Sequence, residues 1–148
     1  TPDIDALIAA AGLCATRRTP GALPDARTQI YLADTLGETG LWYRLSPITC
    51  LCGSFVPVGG HNPYEPAHAG SALLHGPLHA NFADTYGELR AAGARTEVED
   101  ASDLAEAVAG LLADPAALDS AQARIETFAH AQEDALDALA LDLYGPAL

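Results

Sequence analysis

Positive charge is scarce in this chain. Seven basic side chains stand against twenty acidic ones in 148 residues, for a formal charge of −13. A field of that sign repels nucleic acid and anionic lipid, so neither is expected as a partner. Cysteine is also scarce. Cys14, Cys50 and Cys52 are odd in number, and nothing suggests a disulfide framework or an oxidising compartment. Cys50 and Cys52 fall on one face of a strand and read as packing thiols, because no further ligands for a metal can be placed beside them. No apolar run approaches the length of a membrane span. The opening Thr1, Pro2 and Asp3 read as a helix cap, not as the basic start of a signal peptide. There is no internal repeat and no low-complexity tract beyond alanine richness.

What is present suits one small α/β domain spanning residues 1–148. Hydrophobic residues make up 49%, enough to fill a single core at this length. Thr1 can cap a first helix with Pro2 at its first position and Asp3 and Asp5 on its positive end. Ile4, Leu7, Ile8 and Ala11 form its apolar stripe, and Gly12 stops it. Strands are expected at 13–17, 28–33, 48–52, 71–74 and 94–98. A loop containing Pro20, Gly21, Pro24 and Asp25 fills 19–27. Helices are expected at about 37–45, 63–69 and 81–92. Two more occupy about 101–144, with Asp114 and Pro115 as the restart between them and Gly145 and Pro146 as the stop. The apolar stripe of the last helix runs through Leu118, Ile125, Phe128, Leu136, Leu139 and Leu143, with Glu126, Glu133, Asp134 and Asp137 on a solvated face. Strands alternating with helices call for a parallel sheet covered on both faces.

Ligands of such sheets sit beyond the carboxyl ends of the strands, and one stretch there stands out. Residues 53–67 run from an apolar strand through the Gly59, Gly60 pair into a helix start. Asn62 suits the cap, Pro63 the first helical position, and Glu65 follows three residues after the cap. Glycines and first-turn N–H groups together can make a backbone cradle for an anion. The same residues also fit a well-capped turn that binds nothing. Thr35 and Glu38 form a second capping-box pattern, so Thr35 can simply hold its own helix. His61 can either donate to an anion or support the cap. His75 stands at a strand end where it can line the cleft. His75 and His79 cannot share a helix face, because Gly76 and Pro77 lie between them, and no metal pair is expected there. His68 and His130 read as surface or packing residues.

The string GGHNPYEPA at 59–67 resembles the GGHNPLEPA signature of bacterial 3-deoxy-D-manno-octulosonic acid (Kdo) transferases. Two further stretches are similar to that family in the same order. They are YLADTLGETGLWY at 31–43, and Leu74-His75-Gly76-Pro77 followed by Asn81-Phe82. Tyr64 stands where the family usually has Leu, and Cys52 where glycine is common. The resemblance covers about residues 5–115 and only the C-terminal half of such an enzyme. It implies a Rossmann-like, donor-nucleotide-binding domain of a GT-B glycosyltransferase that moves Kdo from CMP-Kdo onto lipid A precursors, with inversion. The expected site comprises Asp34, Gly37, Glu38, Ser54, Gly59, Gly60, His61, Asn62 and Glu65. The cradle amides would take the CMP phosphate or the Kdo carboxylate, Glu65 the ribose hydroxyls, and residues 34–38 would frame the cytosine and sugar edge. Ser54 would donate one hydrogen bond. No metal or cofactor is implied.

No residue here matches the family's catalytic carboxylate, which lies in the N-terminal domain with the acceptor surface. The resemblance therefore implies a part inactive alone, from an enzyme at the cytoplasmic face of the inner membrane. It also implies that a central strand preceding the first helix is missing. Strand rearrangement, pairing with another copy in a strand-exchanged homo-oligomer, or a longer native polypeptide would each fill the gap. Two rival readings are a half-domain of another nucleotide-sugar transferase or epimerase, and a non-catalytic interaction module.

Overall fold

A computed structural model describes residues 2–19 and 21–145, excepting the side chains of residues 2 and 3. The expected cap at Thr1, the Asp3 side chain, Pro20 and Pro146 lie outside the described residues. The chain divides into two compact units, Thr1–Thr39 and Gly40–Leu148.

In the first unit, helix α1 (Pro2–Ala10) ends as the sequence predicts. Gly12 takes φ +69°. Its N–H donates to the Ala9 carbonyl at 3.0 Å, while the Leu13 N–H reaches back to Ile8 at 3.2 Å. That pair of bonds is the Schellman termination, which needs a left-handed residue and so favours glycine. Of the predicted apolar stripe only Ile8 is buried, whereas Ile4 and Leu7 remain exposed. Strands β1 (Ala15–Arg17) and β2 (Ile30–Leu32) pair in parallel, Ala15 opposite Ile30 and Arg17 opposite Leu32.

The second unit carries the main core. After α2 (Thr39–Leu45) come β3 (Ile48–Leu51), a short α3 (Tyr64–His68), β4 (Ala72–His75), α4 (Ala83–Ala91), β5 (Thr96–Glu97), α5 (Ala101–Ala113) and α6 (Pro115–Tyr144). Single 3-10 turns at Cys52–Ser54 and Ala80–Phe82 follow β3 and precede α4. β4 is central in the order β3-β4-β5, and both of its pairings are parallel. All four of its residues are buried, as a strand covered on both faces requires. The core gathers Leu51, Ala67, Leu73, Tyr86, Leu89, Ala94, Ile125, Phe128 and Ala129, with Tyr64 stacked on Phe128 at a centroid distance of 6.1 Å. Caps hold the C-terminal helices. The Asp100 carboxylate accepts from Ser102 and Asp103 at the start of α5, and Asp114 from Ala116 and Ala117 at the start of α6. The predicted restart at Asp114 and Pro115 is thus present. The far half of α6 differs from expectation, for Leu136, Leu139 and Leu143 are exposed.

Every strand pairing is parallel, but the single sheet expected from the alternation is divided into β1-β2 and β3-β4-β5. Among the described residues, β3 has a strand neighbour on one side only.

Candidate functional site

The loops that leave β3 and β4 at their carboxyl ends pack directly on one another. Ser54 is fully buried where they meet. Its hydroxyl donates to the Leu51 carbonyl and accepts from the Gly76 N–H at 2.7 Å. The Leu78 N–H then donates to the Ser54 carbonyl at 2.8 Å. Ser54 was expected to offer a bond to a ligand. Its one O–H is instead spent on the backbone, and its role here is to pin the two loops together.

The glycines of the cradle serve the same contact. A Cβ on Gly59, whose φ is +91°, would fall 2.2 Å from the Asn81 side-chain nitrogen. One on Gly60, at φ +86°, would fall 2.9 Å from His79 Cα. Both positions need a left-handed backbone as well as the missing side chain. The close approach that the sequence assigned to a ligand is made by the second loop, with the Asn81 N–H bonded to the Gly59 carbonyl at 3.0 Å. His61 is exposed, its ring lies where a Cβ on Gly53 would be, and its carbonyl accepts from the buried Tyr86 hydroxyl at 3.0 Å.

The cap falls one residue later than predicted, at Pro63 with Tyr64 as the first helical residue, and Asn62 lies just outside, its side-chain oxygen accepting from the Tyr64 N–H at 3.0 Å. Helix α3 is only five residues long. Pro63 and Pro66 bring no N–H, and the Tyr64 N–H is taken by Asn62. Of the first turn's amides, Glu65 N–H is left. The anion-binding capacity of this terminus is therefore smaller than the sequence suggests. The Glu65 side chain is exposed and lies near Tyr43, whose hydroxyl is pushed above its ordinary pKa by burial and then by the Glu65 charge. Beside the glycine loop opens a largely apolar hollow of about 600 Å³, with Pro57, Val58, Leu78, His79 and Asn81 among its walls. Nothing in the sequence reading assigned these residues to a wall. The HGP segment that carries Leu78, His79 and Asn81 was noticed only as a string.

In the first unit the predicted acidic residues are already paired. Glu38 holds Arg18 through two bonds of 3.1 and 2.8 Å and accepts from the Thr35 hydroxyl. Arg18 and then Thr35 hold its carboxyl down to about 2. Asp34 accepts from Arg17 at 2.6 Å and from both the N–H and the hydroxyl of Thr19, and Arg17 is the main reason that its pKa falls to about 2. Both are carboxylates at neutral pH. Gly37 follows the pattern of a left-handed turn residue, with φ +82°.

Two side-chain clusters lie outside the predicted set. Cys50 and Cys52 bring their sulfurs to 4.0 Å. Cys52 is exposed, and its thiolate is favoured by the neighbouring Cys50 thiol, with a pKa of about 6. At the end of β4, His75 is fully buried. Burial pulls its pKa down to about 4, so it is neutral. His75 and His79 do not share a helix face, as expected, but the loop between them turns back and sets their rings 5.1 Å apart.

The likeness to known proteins extends over most of the chain. A solved chain, the C-terminal CMP-Kdo binding domain of WaaA from Acinetobacter baumannii, matches with a TM-score of 0.81 at 31% identity, over 85% of this chain and 66% of that one. The chain is a homologue of the Kdo transferases. The 3-deoxy-D-manno-octulosonic acid transferase of Bordetella pertussis is 37% identical over 129 residues, which is 85% of this chain and 30% of that protein. That of Haemophilus influenzae is 37% identical over 97 residues, 65% of this chain and 23% of the relative. The chain thus spans less than a third of the length of these curated relatives. No family model matches it. The Rossmann-like α/β fold follows from the solved neighbour. Among the described residues no helix is long and apolar enough to cross a membrane.

Proposed function

We propose that this chain is the donor-binding part of a Kdo transferase and takes CMP-Kdo at the carboxyl edge of β3 and β4. The observation that carries this reading is the match, over 85% of the chain, to a domain named for binding CMP-Kdo. Within that edge, the spare Glu65 N–H and the amides of the glycine loop receive the phosphate. The exposed Glu65 carboxylate accepts from the ribose hydroxyls, which are donors to an acceptor-only group. The adjoining apolar hollow suits the face of the cytosine ring. Asp34 and Glu38 act by holding Arg17 and Arg18 in place.

Transfer of Kdo to a sugar hydroxyl needs a base at the acceptor and stabilisation of the departing phosphate. This chain supplies the second. The base, the inversion it enforces and the lipid A precursor site belong to the remainder of a longer enzyme working at the cytoplasmic face of the inner membrane. The chain alone therefore binds donor and transfers nothing.

Titrating CMP and UDP into the 15N-labelled chain tests this. CMP should shift the amides of Gly59, Gly60, Asn62 and Glu65 more than UDP does. Larger shifts with UDP would favour another nucleotide-sugar enzyme, and no shifts with either would favour an interaction module.

A further inference from the structure

We propose that the ends of β4 and β5 form a binding site for a divalent transition-metal ion of the zinc class, with His75, His79 and Glu97 as its protein ligands. One ligand atom from each lies within 4.8 Å of the others. They come from three places, the end of β4, the loop after it and the end of β5, so the register that sets His75 opposite Glu97 brings the set together.

His75 is prepared for the role. Its Nδ1 lies 2.7 Å from the Gly76 carbonyl and donates to it, which fixes the tautomer and leaves the Nε2 lone pair facing the cluster. Metal-binding histidines are commonly oriented by such a bond to a backbone carbonyl. Tyr86 fixes both rings, with His79 stacked on it at 4.3 Å and His75 edge-on at 4.5 Å.

A cation already sits where the lone pairs converge. Arg95 Nη1 donates to His75 Nε2 at 2.6 Å and to Glu97 Oε2 at 2.5 Å. The guanidinium is a monovalent occupant of a cation site, and an incoming ion must displace it. Two features favour that exchange. The Arg95 Nε is buried without an acceptor, so its present placement carries an unsatisfied donor. Beside it, a hollow of about 250 Å³ walled by Arg90, Arg95 and Glu97 gives the side chain room to swing out. His79 and Glu97 are 3.9 Å apart, and closing the set to the spacing of ligands about 2.1 Å from a tetrahedral zinc takes shifts of about an ångström. Two imidazoles and a carboxylate leave one position for water. The bound ion would tie the loop at Gly76 and Pro77 to β5.

Cobalt(II) titration of the 148-residue chain, followed by zinc competition, tests the site. One cobalt per chain should bind with the visible bands of a four-coordinate ion, and zinc should abolish them. Glu97→Gln and His79→Ala should each weaken binding by at least about tenfold, while Arg95→Met, which removes the competing cation, should strengthen it. Circular dichroism checks that each variant is folded. His68 and His130 flank Glu133 at 3.1 and 3.4 Å on the surface, and the His68→Gln, His130→Gln double variant should bind as the parent does. Absence of the bands, affinity indifferent to Glu97 and His79, or loss of binding in the His68 and His130 variant would overturn the proposal.

Discussion

Replacing Ser54 by alanine tests whether the loops of the donor edge are held as described. The hydroxyl is fully buried and joins two otherwise unconnected backbone groups, the Leu51 carbonyl and the Gly76 N–H. Its removal leaves the Gly76 N–H with no partner in a place water does not reach. An orphaned buried donor costs about 1–3 kcal/mol. The Leu51 carbonyl loses its donor as well, which adds about 1 kcal/mol. The expected loss is then about 2–4 kcal/mol, a large share of the ~5–15 kcal/mol by which a domain is stable. Urea unfolding followed by circular dichroism reads it directly. With a slope of ~1–3 kcal/mol per molar urea, the midpoint should fall by about 1–2 M. Ser102→Ala, on the exposed face of α5, is the control and should move stability by no more than about 0.5 kcal/mol. A Ser54→Ala midpoint indistinguishable from that control would refute the argument that this hydroxyl pins the loops. It would also reopen the sequence-based assignment of Ser54 to the ligand.

Other consequences follow from the same packing and charges. Tyr86→Phe removes the donor to the His61 carbonyl while keeping the ring, and should cost about 1 kcal/mol of unfolding free energy in the same assay. Gly59→Ala forces a left-handed backbone on a side-chain-bearing residue and drives a methyl into the Asn81 amide. A loss of about 1–3 kcal/mol for the backbone alone is expected, read as a lower melting temperature. Glu38 has a folded pKa lowered from 4.5 to about 2. Its contribution is therefore complete above about pH 5 and is lost as pH falls through 2, because the unfolded chain takes up the proton first. Glu38→Gln should flatten that acid limb of the urea midpoint. Cys52, exposed and with its pKa near 6, should be alkylated by iodoacetamide at neutral pH well before Cys14, as mass spectrometry of timed samples would report.

Much of the fold was readable because local chemistry decides it. Gly12 and Asp114 mark helix ends through bonds that their own neighbours complete, and Pro115 through the N–H it lacks, so no distant contact can overrule them. Burial was harder to read. Leu7 and Leu136 continue apolar stripes and yet stay exposed, since periodicity predicts a face and not whether anything covers it. At the donor edge, the cap fell on Pro63, one residue after Asn62, and the glycines turned out to admit Asn81 and His79. A glycine pair says that something comes close, and only the fold decides between a ligand and a second loop. The carboxylates Asp34 and Glu38 were singled out, but their partners Arg17 and Arg18 were not, because strand register links them across about twenty positions. At His75, the pairing with His79 was weighed and set aside on helix geometry, and Glu97 was not seen to join them. The three meet through a turn and a strand pairing that spacing alone does not encode.

Cytidylate is expected to bind at the edge formed by the loops after β3 and β4. Isothermal titration of CMP into the chain, with UMP and the Glu65→Ala variant alongside, measures that binding most directly. One CMP per chain, a weaker response to UMP and a clear loss of affinity in Glu65→Ala are predicted. Heat no different from buffer at millimolar CMP, or a Glu65→Ala variant that binds as well as the parent, would contradict it.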